Sequence, residues 1–370
     1  MKTMGIIFSN IYDSTLGELT NYRTVASLPF GGRYRQIDFV LSNFSNSGIY
    51  KIGLITKYNY RSLMDHLGSA ADWDIQRKNE GLVILPPFAS GNTGVYKGKL
   101  EALYSAEAFI NNPLYDYVIV SDTTVLCNID LKPAIDFHIK SGAHVTVISN
   151  KEKNESKKKH PLVISADKKG RATSILVDSV AEEQSFIGMG MFIIKRELLV
   201  DVINDAHAKG YVHFERDYLQ RYFNDNKLKV SVYDFKGVVL RNENIKSYYA
   251  NNMALLNEKT RTGLFSKNPI YTKVRDEMPT FYAEGSSVDN CLIADGCNIH
   301  GDISDSVLFR KVTVENGASV KSCIVMQGTH IGKNAKLECV ILDKNVIVND
   351  GAELKGTPDH PVIIKKGETV

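Results

Sequence analysis

The 370-residue chain has no run of 18 apolar residues, which excludes an ordinary membrane-spanning helix. Its first residues, "MKTMGIIFSNIYDST", have too short an apolar stretch and too little basic lead-in for a secretory signal, so a cytoplasmic location is expected. An excess of one charge sign is also missing. Forty-five basic residues face 42 acidic ones, with a pI near 8.4, which gives no global field suited to nucleic acid or a membrane surface. Cysteine is scarce and contains no C-x-x-C pair; five thiols in a chain of this length read as reduced. The nine histidines form no i, i+4 ligand pair, so no metal site is expected from them, and no G-x-S-x-G or comparable nucleophile motif occurs. The single tryptophan, Trp73, reads as core. Small anionic ligands remain compatible with all of this.

One further absence is local. The apolar run Gly5-Ile6-Ile7-Phe8 leads into a polar turn where a phosphate-binding loop would carry glycines, yet Ser9 to Leu16 contain none. Around that gap the first half is regular. "MGIIF", "KIGLIT", "DYVIVSD" and "AHVTVISN" read as strands, and segments such as "NYRSLMDHL" and "GKLEALYSAEAFI" carry helical spacing. Strands alternating with helices predict a mostly parallel sheet, with ligands beyond the C-terminal strand ends, at the turns after Phe8, Thr56 and Val120. The lysine-rich run "KEKNESKKKH" (151–160) reads as a solvated loop.

The tail repeats itself. "IADGCNI", "VENGASV", "IGKNAKL" and "VNDGAEL" share one formula, apolar-x-x-(Gly/Asn)-(Ala/Cys)-x-apolar, with start-to-start spacings of 21, 17 and 17. Such a period predicts triangular coils stacked into a parallel β-helix, with Gly or Asn at corners that need left-handed dihedrals. Cys291, Val307, Cys323 and Cys339 recur every 16 residues, and a position that accepts valine as readily as cysteine predicts a buried apolar stack. The boundaries expected are a first domain over 1–257, a linker over 258–285 and the β-helix over 286–370.

"RTVASLPFGGRYRQIDFVLSNFSNSGI" presents Arg23, Arg33 and Arg35 near a Pro-Gly-Gly turn, a pattern suited to phosphate oxygens or to solvated surface. This stretch is very close to the signature that follows the nucleotide loop in ADP-glucose pyrophosphorylases, the glucose-1-phosphate adenylyltransferases of bacterial glycogen synthesis. "GLITKYNYRSLMDHLG", "YKGKLEALYSAEAFI", "VIVSDTTVL" and the β-helix repeats resemble the family too, so the likeness covers nearly the whole chain. It implies an α/β nucleotide-diphospho-sugar transferase domain, Rossmann-like, followed by a left-handed parallel β-helix of hexapeptide-type repeats. The family reaction is attack by the phosphate of glucose 1-phosphate on the α-phosphorus of ATP. Alignment, charge compensation and magnesium serve it.

The departures from the family fall on that chemistry. The loop G-G-x-G-T-R-L is replaced by "FSNIYDSTLGEL", which also brings in Asp13. In place of R-A-K-P stands Arg23-Thr24-Val25-Ala26, leaving Arg23 as the substrate-phosphate candidate. Asp122 matches the retained magnesium aspartate of G-D-H. The resemblance puts Arg241 where the second metal aspartate stands, a cation in place of a metal ligand. Gly98 and Ala102 survive from G-T-A-D-A, with Lys99, Leu100 and Glu101 between them. In "HFERDYL", Phe214 and Asp217 match D-F-G-K-D while Glu215 and Arg216 do not. The turn Gly188-Met189-Gly190 is kept, but the sugar-phosphate lysine of E-K-P has no counterpart.

This pattern resembles the regulatory type of subunit in two-subunit pyrophosphorylases. It implies a homologous catalytic partner in a hetero-oligomer, expected to be a tetramer, no tightly bound cofactor of its own, and Mg²⁺ for the partner. It also implies an anionic sugar-phosphate or nucleotide effector held by Arg33 and Arg35. Two other readings stay open at this point: an active sugar-phosphate adenylyltransferase with a rearranged site, and a free-standing sugar-nucleotide sensor.

Overall fold

The apolar runs between residues 3 and 234 form one nine-stranded sheet in the computed structural model, which describes residues 1–10, 13–87, 96–152 and 158–370. Its strands are β1 (Thr3–Phe8), β2 (Lys51–Ile55), β3 (Gly81–Leu85), β4 (Tyr117–Asp122), β5 (Val145–Asn150), β6 (Lys159–Ala166), β7 (Ala172–Val180), β8 (Phe186–Lys195) and β9 (Val230–Asp234). β3, β2, β1 and β4 run parallel in that order, as do β5 and β9. β8 is antiparallel to β4 and β5, and β6 and β7 form an antiparallel ribbon. β1 is central and buried on both faces, which explains its unbroken apolar run. In register, Phe8 lies opposite both Ile55 and Asp122, so three strand ends meet at one edge of the sheet.

By contacts the chain divides into two units, Met1–Ile11 with Phe39–Tyr60 and Gly68–Val239, and Tyr12–Asp38 with Arg61–Leu67 and Leu240–Val370. The arginine-bearing segment thus packs with Leu240–Val370, although it is N-terminal in sequence. Residues 258–285 carry a helix over Glu258–Phe265, N-capped by Asn257, and the first short strand of the tail, Phe281–Tyr282. Part of the lysine-rich run, 153–157, and Ile11 and Tyr12 of the glycine-free turn lie outside the described residues. Trp73 is fully buried. No helix among the described residues is long and apolar enough to cross a membrane.

The tail is a left-handed parallel β-helix built from three five-stranded parallel sheets. Its interior is a column of apolar layers such as Ile299, Val314, Ile331 and Val348, which no single coil could bury alone. Two details of the repeat differ from the expectation. Gly317, Asn334 and Gly351 occupy one left-handed corner at φ 74°, 57° and 72°, whereas Gly296 belongs to a different corner together with Lys311, Gly328 and Asn345. That shift by one side of the triangle accounts for the odd spacing of 21. The 16-residue cysteine series is not a column either. Leu292, Val307, Ile324 and Ile341 are in register, so Cys291 stacks with Ser306, Cys323 and Val340. Val307 sits one place further on, and Cys339 falls at a corner with φ 54°. A coil of 17 residues cannot keep a recurrence of 16 on one face. Cys323 is nonetheless buried among apolar neighbours, which pushes its thiol pKa up to about 12.

Candidate functional site

The edge where β1, β2 and β4 end is closed by local bonds. The Ser9 amide donates to the Ile55 carbonyl at 3.1 Å. Asn10 bridges the next turn, donating from Nδ2 to the Tyr58 carbonyl and accepting from the Lys57 amide, each at 3.1 Å. The Tyr96 hydroxyl donates to the Thr56 carbonyl. These bonds tie Ser9 and Asn10, at the start of the glycine-free turn, to the end of β2 and the turn after it. Asp13–Thr20 follows as short 3₁₀ turns kinked at Gly17.

Asp122 is the last residue of β4 and is 3% exposed. β8 bulges beside it between Gly188 and Met191, bringing Gly190 close at φ 67°. A Cβ at Gly190 would lie 2.6 Å from Asp122 Oδ2, so glycine is required there by both dihedral and space. The turn Gly188-Met189-Gly190 thereby frames the carboxylate.

What faces that carboxylate is a lysine. Lys99 opens the Lys99–Ser105 helix, and its Nζ donates to Asp122 Oδ2 at 2.8 Å and to Glu215 Oε1. The lysine and aspartate side chains are 3% and 4% exposed. The segment Val212–His213 explains how two positions 116 residues apart converge. The Val212 carbonyl accepts from the Leu100 amide at 3.0 Å, and Gly98 packs so closely on it that a Cβ would meet that oxygen at 2.4 Å. Asp217 Oδ2 in turn accepts the amides of Val212 and His213 at 2.9 and 2.8 Å, fixing the π-helical turn Phe214–Gln220 that carries Glu215. The ammonium also lies 5.9 and 5.5 Å from the ring centroids of Phe8 and Phe192, within cation–π range. A magnesium ion demands close oxygen ligands in octahedral order, and Asp122 Oδ2 already serves a cation. The residues present therefore do not fit a divalent ion while Lys99 is in place.

The other sequence candidates belong to the second unit. Arg23 is buried and grips Asp343 with both oxygens, Nη2 lying 2.7 and 2.9 Å from Oδ1 and Oδ2. Its guanidinium is committed to the β-helix. Arg241 is 8% exposed in a short extended pair, Leu240–Arg241, and its carbonyl accepts from Asn251 Nδ2 at 2.9 Å. Arg33 and Arg35 line one pocket, joined by Arg275, Arg310, Lys344 and His66.

The pocket is strongly cationic. Arg35 donates to the carbonyl and hydroxyl of Ser62 at 2.6 and 3.0 Å, and burial lowers its pKa to about 10. Burial, then Arg33 and Arg275, lowers that of Arg310, whose Nε is buried without a hydrogen-bond partner among the described residues. Lys344 is brought down to about 6, first by burial and then by Arg35, Arg23 and Arg275. Asp38 is no counter-ion for the cluster as a whole: it holds His66 Nε2 at 2.6 Å and the Arg35 amide at 2.9 Å. Burial keeps the His66 pKa below its usual value despite that contact. Fixed positive charge with too little compensation is a site for an anion. Sequence reading found Arg33 and Arg35 but missed the other cations, because Arg275, Arg310 and Lys344 lie in three loops far apart in the chain and belong to no shared motif.

Comparison with known proteins follows the same division. Residues 6–240 match the family described as Nucleotidyl transferase, and residues 280–360 the one described as GlmU-like, C-terminal hexapeptide. The chain is 31% identical to glycogen biosynthesis protein GlgD of Bacillus subtilis (strain 168), over 99% of this chain and 96% of that protein. It is 30% identical to the glucose-1-phosphate adenylyltransferases of Bacillus mycoides (strain KBAB4) and Bacillus anthracis, with 99% of each chain covered.

Proposed function

We propose a function from one premise: the chain belongs to the nucleotidyl transferase family, among the glucose-1-phosphate adenylyltransferases and GlgD. It is the regulatory subunit of a glucose-1-phosphate adenylyltransferase of glycogen biosynthesis. It assembles with a homologous catalytic chain that makes ADP-glucose and pyrophosphate from ATP and glucose 1-phosphate, and it changes how that partner responds to an anionic effector.

The observation that carries this reading is the ion pair between Lys99 and Asp122. Catalysis in this family calls for a carboxylate free to hold metal and a loop free to wrap a triphosphate. Here the retained aspartate serves an internal ammonium, and Ser9 and Asn10 are bonded to the end of β2 and to the turn after it. The cationic pocket of the second unit, by contrast, is well furnished for a phosphorylated ligand, with Arg33 and Arg35 as its first candidates. Chemistry is thus withdrawn from one unit while anion recognition is kept in the other.

The test is ADP-glucose synthesis by a catalytic relative, purified with and without this chain, across a series of sugar-phosphate and nucleotide effectors. Co-assembly is expected, with a changed effector response or substrate affinity and little product from this chain alone. Unchanged kinetics on co-expression would reject the reading. Steady turnover by the chain alone, lost on Asp122→Asn, would replace it with that of an active enzyme with a rearranged site.

A further inference from the structure

We infer that Lys99 is a covalently tethered stand-in for a divalent cation, and that Asp122 and Glu215 form a latent cation site which this lysine keeps filled. The two carboxylates come from different elements, the end of β4 and the Phe214–Gln220 turn, and both point at the same Nζ. The stem enters from the first residue of a helix whose position is set by backbone bonding to Val212, so the ammonium is delivered to a fixed point. Gly190 packs so close to the Asp122 carboxylate that a Cβ there would lie 2.6 Å from Oδ2.

A tethered cation differs from a dissolved one in a way that matters physically. Its local concentration is set by the fold, so no chelator removes it and no competing ion dilutes it. A divalent ion entering the cleft would have to share Asp122 Oδ2 with an ammonium 2.8 Å away, against direct repulsion. With the lysine gone, two carboxylates would face each other in a largely buried cleft, which is unfavourable unless a cation returns. Lys99 and Glu215 therefore act together: the glutamate adds a second anchor for the ammonium, and both hold the cleft in one charge state whatever the magnesium concentration.

The experiment uses the full chain and Mn²⁺ alone as probe, with binding read by electron paramagnetic resonance and folding by circular dichroism. Wild type is expected to show no saturable Mn²⁺ site. Lys99→Ser and Lys99→Gln are expected to gain one, at least tenfold tighter than any wild-type binding, and to lose it when Glu215→Gln is added. A variant that is unfolded alone but folds in Mn²⁺ also supports the inference. Saturable wild-type binding that disappears in Glu215→Gln would overturn it, as would Lys99 variants that fold without gaining a site or that stay unfolded in Mn²⁺. The regulatory reading stands or falls separately, on the co-expression kinetics.

Discussion

Replacing Asp343 by asparagine tests whether Arg23 braces the second unit or waits for a substrate phosphate. The guanidinium and carboxylate are 3% and 2% exposed, and both carboxylate oxygens lie within 2.9 Å of Nη2. Taking the charge centres about 4 Å apart, the attraction is about 4 kcal/mol at an effective dielectric constant of about 20. Breaking a buried pair by removing one partner costs about 3–5 kcal/mol, because the remaining charge has neither partner nor water. Asparagine keeps the shape and can still accept from the Lys344 amide, so the loss falls on the charge. For a unit of this size about 2–4 °C is lost per kcal/mol, giving a fall of about 10 °C in the melting transition that reports the second unit. Calorimetry of the full chain reads it directly. The apolar double replacement Arg23→Met with Asp343→Leu is expected to recover most of the loss, since burying neither charge avoids both desolvation costs. A loss below about 1 kcal/mol for Asp343→Asn would refute the reasoning, because an exposed ion pair is worth no more than that. Arg23 would then be available for ligand.

Three further outcomes follow from the same structure. Lys344, lowered to about 6 by burial and neighbouring arginines, gives up its proton in the folded chain well below the value of about 10.5 at which the unfolded chain does; its contribution to stability therefore rises with pH across that window. Sulfate, whose charge is constant over this range, restores the proton, so its stabilising effect is expected to weaken as pH rises from 6 to 8, by at most about tenfold in Kd per unit for one proton taken up. Thermal shifts at constant ionic strength check this, and Lys344→Met should flatten the profile; a flat wild-type profile would refute it. Arg310→Met removes a buried Nε that has no hydrogen-bond partner among the described residues, and one repelling charge, so the chain should melt higher while losing stabilisation by sulfate; retained sulfate protection would exclude Arg310 from the site. Gly190→Ala forces a left-handed dihedral and a 2.6 Å contact with Asp122, and is expected to cost about 1–3 kcal/mol in denaturant unfolding. A neutral result would mean that β8 yields there.

Much of the architecture was legible in one dimension because it is governed by local periodicity. The runs "MGIIF", "KIGLIT" and "DYVIVSD" became β1, β2 and β4, since a strand buried on both faces needs an unbroken apolar run whatever its partners. The β-helix was legible for a related reason: its corner residues must tolerate positive φ, and Gly or Asn at fixed spacing records that requirement. Reading failed where two close periods compete. Sixteen and 17 differ by one residue, enough to move Cys339 from the expected column to a corner. The run from Phe186 reads as a strand, but the antiparallel direction of β8 was not legible, because strand direction depends on the path of the chain and not on side-chain pattern.

By itself, the order of residues determined which chemistry was missing: a turn without glycine, a lysine at position 99 and a glutamate at 215 among otherwise familiar motifs. It could not say that these last two substitutions concern the same atom. Only the tertiary structure decided that, by bringing a helix start and a distant π-helical turn against Val212–His213 so that Lys99 meets both Glu215 and Asp122. It likewise gathered Arg33, Arg35, Arg275, Arg310 and Lys344 around one pocket. Composition and spacing record what each position tolerates, whereas an electrostatic site is a property of distances between charges, and folding alone sets those distances.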